Sequence, residues 1–105
     1  MKLYTIDHIP GEEITALGLV TGTTVQSVHL GLDFLAGLKN IVGGEIHDYT
    51  EMLEKARQIA LDRMTAEAEK LGADAVVNVR FGTSSVMQSA AEVMAYGTAV
   101  RIRPR

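Results

Sequence analysis

Apolar residues recur at three- and four-residue steps through Met52, Ala56, Ile59, Ala60, Met64 and Leu71, while Glu54, Lys55, Gln58, Asp62, Glu69 and Lys70 fill the intervening positions. That period predicts a long amphipathic helix with one buried stripe. Asp48 stands where an N-cap belongs, and Glu51 three residues later completes a reciprocal capping pair. Glu51 and Glu54 put negative charge in the first turns, where the helix dipole favours it. Glu51 and Lys55 have the favourable order for an i,i+4 pair. Gly72, after Leu71, supplies the left-handed residue that ends many helices. Such an element runs about 30–35 Å, so it must lie across a whole sheet.

The remaining pattern is mostly that of strands. Leu3 to Ile6 reads as a short strand closed by Pro10-Gly11. Ile14 to Thr21 is rich in apolar and β-branched residues and predicts a second strand, resuming after a break at Gly22 through Thr23 to Val28. Gly18 and Gly22 within that run imply a bulge or the close approach of another backbone. From Leu30 to Val42 the period changes: Leu32, Leu35, Leu38, Ile41 and Val42 share one helical face, which predicts a short helix ended by Gly43-Gly44. Ala75 to Phe81 alternates, with Val77, Val79 and Phe81 on one side and Asn78 and Arg80 on the other. Gly82 to about Ala90 is expected as a polar connection. Glu92 to Ile102 closes the chain as a strand with Met94, Tyr96, Thr98, Val100 and Ile102 on one face and the smaller Val93, Ala95, Gly97 and Ala99 on the other. The order is that of an α+β domain covering residues 1–105, an antiparallel sheet with the long helix on one face. Its sheet edges call for cover, which pairing between subunits in a closed ring would supply.

Composition narrows the function classes. With 105 residues and no Pro- or Ser-rich divider, one domain is expected. A net charge of −3, without a basic stripe carrying aromatics, argues against nucleic acid, and Arg101, Arg103 and Arg105 read as a solvated strand end. The absence of cysteine removes disulfides, thiolate metal sites and cysteine nucleophiles. No signal-peptide run or membrane-spanning stretch is seen, so the cytoplasm is the default compartment.

Gly18-Leu19-Val20-Thr21-Gly22, Phe34 to Gly44, Ala56-Arg57-Gln58-Ile59-Ala60, Leu71-Gly72-Ala73-Asp74-Ala75-Val76-Val77 and Gly97-Thr98-Ala99-Val100 occur in the same order as in the YbjQ-like family of small bacterial proteins, which the chain resembles over nearly its whole length. The resemblance implies a dodecin-subunit-like fold, a helix on a curled antiparallel sheet, assembled as a homopentameric ring. It implies heavy-metal binding as the family's label, with no established activity and no catalytic residue to carry over. The shared motifs are Gly, Ala and aliphatic residues, which speak of backbone geometry and packing. His8, His29 and His47 fall outside them.

For a divalent transition metal, the ligand candidates are His47 with Glu45, two residues apart on an extended loop, and His29 with Asp33, four apart on a helix face. Such a site takes three or four converging donors, so two per chain suffice only where a neighbouring subunit supplies the rest. The plainer reading makes these exposed loop and cap residues. Met52, Met64 and Met94 offer thioethers for Cu(I), yet their positions on apolar faces read as core filling. Gly43-Gly44 offers an anion nest, against which stand the acids Glu45 and Asp48 and the plainer account of a chain reversal. Ser84, Ser85 and Ser89 lack any nucleophile motif. Tyr49, Tyr96 and Arg80 could line a pocket or simply be solvated. The resemblance, together with small, glycine-rich elements that need a partner surface, implies a non-enzymatic homopentameric ring that binds a metal or small ligand at subunit junctions. The alternative is a ring presenting a surface, such as the amphipathic segment Val28 to Val42, to a partner protein or membrane.

Overall fold

The computed structural model describes residues 1–28 and 47–104. Its elements are β1 (Lys2–Leu3), β2 (Glu12–Ser27), α1 (His47–Lys70), β3 (Ala75–Met87) and β4 (Ala90–Pro104). The expected short helix from Leu30 to Val42 and the Gly43-Gly44 turn lie outside the described residues, as do His29, Asp33 and Glu45.

On α1 the buried residues are Met52, Ala56, Ala60, Met64 and Ala68, each four after the last. Ile59 is half-buried and Leu71 is exposed, contrary to the stripe read from the sequence. The reason is the end of the helix. Ala73 N–H reaches back to the Ala68 carbonyl and Gly72 N–H to that of Glu69, at 3.1 and 3.0 Å, with Gly72 at φ +76°. This is a Schellman cap, which turns the chain away just where Leu71 would have continued the ladder. The described helix begins at His47, so Asp48 sits inside the first turn, where its carboxylate still meets the positive end of the dipole. Asp74 anchors the far end to β4, its amide donating to the Val100 carbonyl and its carboxylate accepting from the Ile102 amide, each at 2.8 Å.

Four strands form one sheet in the order β1-β3-β4-β2. β2 and β4 pair antiparallel from Glu12–Pro104 to Ser27–Ala90, and β3 pairs antiparallel with β4. β1 runs parallel to β3 through Lys2–Ala75 and Leu3–Val76, so the sheet is mixed rather than wholly antiparallel. β2 does not break at Gly22. Its irregularity is a bulge between Ala16 and Gly18, where Gly18 takes φ +145°, a conformation that favours glycine. Gly22 is instead the point where α1 touches the sheet: a Cβ there would collide with the Ala60 carbonyl oxygen and the Met64 amide nitrogen. Ala56 and Ala60, the smallest side chains available to a helix, permit that approach.

β3 continues well past Phe81 to Met87, and only Gln88 and Ser89 separate it from β4. The polar connection expected from Gly82 to Ala90 is therefore strand plus a two-residue turn: Thr83-Ser84-Ser85 reads as a loop, yet β-branched Thr83 and Val86 suit an exposed strand. Within β3 the partner of Val77 is Thr98 and that of Arg80 is Tyr96, an extra residue at Asn78–Val79 facing Gly97. Asn78 takes φ +55°, which asparagine tolerates better than most side chains. The bulge sends Val79 to the helix side with Val20, Met64, Val76, Val93, Ala95 and Ala99, and leaves Val77 on the opposite side.

That opposite side has its own small core. Ile9, Ala75, Val77 and Val100 are buried there, with Tyr4, Ile14 and Ile102 packed around them. The chain after β1 crosses this face, held by hydrogen bonds from the Asn78 and Val79 amides to the carbonyls of Ile6 and Tyr4, at 3.0 and 2.9 Å. A strand of sixteen residues spans about 54 Å. The protein is accordingly elongated, with extents of 58 × 25 × 17 Å and a radius of gyration of 17.5 Å, against about 13 Å for a rounded domain of this length.

Gly22→Ala is expected to lose roughly 1–3 kcal/mol, because helix and strand must separate to admit a methyl group. Gly82→Ala, with open space at the same distance, serves as control and should change stability by less than about 0.5 kcal/mol. Thermal or urea unfolding of the two variants checks this.

Candidate functional site

His47 is the one predicted ligand among the described residues, and it is exposed at the head of α1. A notch of about 270 Å³ lies between the end of β2 and the first turns of α1, lined by Gln26, Ser27, Val28, Asp48, Glu51, Met52 and Lys55, with His47 one residue before Asp48 in the chain. The notch offers two carboxylates and one ammonium, chemistry that suits a small cationic or mixed-charge ligand better than a bare anion. Glu51 and Lys55 both line it; among the described residues the ion pairs on α1 are represented instead by Lys70–Glu67 at 3.0 Å. No group of three or more His, Asp or Glu side chains converges among the described residues. Taken within one chain, those residues do not fit a transition-metal centre.

A second notch, of about 360 Å³, lies at the outer edge of β2, the last strand of the sheet among the described residues. Leu19, Val20 and Thr21 form one wall, and Glu67 of α1 with Leu71 just past its end forms the other. Leu19 is 72% exposed and Leu71 46%. Nothing in the periodicity singled out this place, since Leu19 reads as an ordinary strand residue and Leu71 as part of the buried stripe.

The other candidates separate. His8 lies on the crossing segment, its ring 2.9 Å from the Asp7 carboxylate, and that hydrogen bond holds the Asp7 carboxyl below its usual range. Both side chains are exposed, so the pair is a surface feature. Met52 and Met64 are buried, as core filling requires. Ser84 and Ser85 stand exposed along β3, and the Ser89 carbonyl accepts from the Val28 amide at 2.9 Å, joining the hairpin tip to the end of β2. Tyr96 faces away from α1 by strand alternation and is the cross-strand partner of Arg80, whereas Tyr49 lies on α1 itself. None of the three lines either notch. Arg80 has a structural task, donating to the carbonyls of Thr5 and Val79 at 2.8 and 3.0 Å and so pinning the segment that covers the second core. No helix among the described residues is long and apolar enough to cross a membrane.

Residues 1–103 match the YbjQ family model, described as "Putative heavy-metal-binding". A UPF0145 protein of Pseudothermotoga lettingae is 62% identical over 104 residues, covering 98% of each chain. Another from Methanosarcina acetivorans is 57% identical over 106 residues, covering all of both, and one from Archaeoglobus fulgidus is 63% identical over 102 residues, covering 96% and 94%. The last two sources are archaea, so the likeness is not confined to bacterial proteins. Among solved structures, a protein of unknown function of the DUF74 family from Pediococcus pentosaceus superposes with a TM-score of 0.66 over 98% of each chain at 18% identity, a likeness of fold.

Arg80→Ala removes two hydrogen bonds to carbonyls and should cost about 1–3 kcal/mol. Hydrogen exchange should rise selectively from Tyr4 to Ile9 while α1 keeps its protection; uniform change along the chain would show that Arg80 does not hold that segment.

Proposed function

The chain belongs to the YbjQ family, and from that premise we propose that it acts as a non-enzymatic cytoplasmic protein, a dodecin-like homopentameric ring that binds a divalent transition metal or small ligand where subunits meet. The observation that carries the reading is His47, exposed at the head of α1 immediately before Asp48, which with Glu51 brings two carboxylates to a notch. These are donor types a borderline metal accepts, and they fall short of a full set within one chain, which is the circumstance in which a second subunit completes a site. The family description favours a metal over other small ligands. A second reading is the same ring without a small ligand, displaying a surface to a partner protein or membrane. Its support is the sheet face turned away from α1, where Val25 is 57% exposed and Met94 and Tyr96 are half-buried.

Native mass spectrometry of untagged protein, before and after zinc, copper or nickel, should give a five-subunit species that gains stoichiometric metal. At a hundred-fold excess over the dissociation constant the metal should add roughly 2.7 kcal/mol of stability. His47→Ala, an exposed substitution worth less than about 0.5 kcal/mol by itself, should abolish that gain. A ring that stays bare would favour the second reading, and a monomer would remove both.

A further inference from the structure

We draw no further inference here: the strongest candidate, the apolar patch of Leu19, Val25, Met94 and Tyr96 on the sheet face turned away from α1, carries nothing because nothing in the structure shows what covers it.

Discussion

The fold turns on the backbone of α1 resting against the backbone of β2 at Gly22. Helices ordinarily stand about 10 Å from a sheet because side chains fill the space. Here that space is almost removed, with glycine on the strand and alanine on the helix. The rest of the helix-side core follows from this height. Val20, Val93, Ala95 and Ala99 are small because α1 lies low over them, and Met64, unbranched and adaptable, fills what remains. The Schellman cap and the Asp74 bridge to β4 then fix where the helix stops, so its position is set at the middle and at the end.

Much of this architecture is legible in the chain, and the places where it is not are physically specific. The two alternatives that glycine raises in a strand, bulge and close approach, are both realised, one at Gly18 and the other at Gly22. The small and large faces of β4 fall as alternation requires, the small one under α1 and Val100 and Ile102 in the second core. What alternation could not reveal is the extra residue at Asn78, because Val77, Val79 and Phe81 look like one face until the strand bulges between them. The parallel pairing of β1 and the burial of Ile9 were hidden for another reason: two residues of strand and an isolated isoleucine before Pro10 have no period to read. Leu71 misleads because helical spacing continues past the residue where the cap turns the chain.

The candidate site was less legible than the fold, since convergence of ligands depends on tertiary and quaternary placement, to which spacing is blind. His47 has the exposure a ligand needs. His29, Asp33 and Glu45 lie outside the described residues. The notch at the β2 edge combines strand residues with a residue just past the end of α1, 52 positions after Leu19, and no local pattern joins Leu19 to Leu71. The lesson for small α+β chains is that apolar residues left outside the core are as informative about use as polar residues gathered in a pocket.

The bulge at Asn78 also governs which length changes this chain can bear. Side chains on a strand have a strict parity, and one residue more or fewer exchanges the faces of everything downstream in that strand. Asn78 supplies an odd count that brings Val79 back beside Val76 in the core beneath α1, while Ala75 and Val77 keep to the core beneath the N-terminal segment. Removing it would turn Val79 away from the helix, although Asn78 itself is exposed and buries nothing. At this position the chain is constrained by arithmetic rather than by packing.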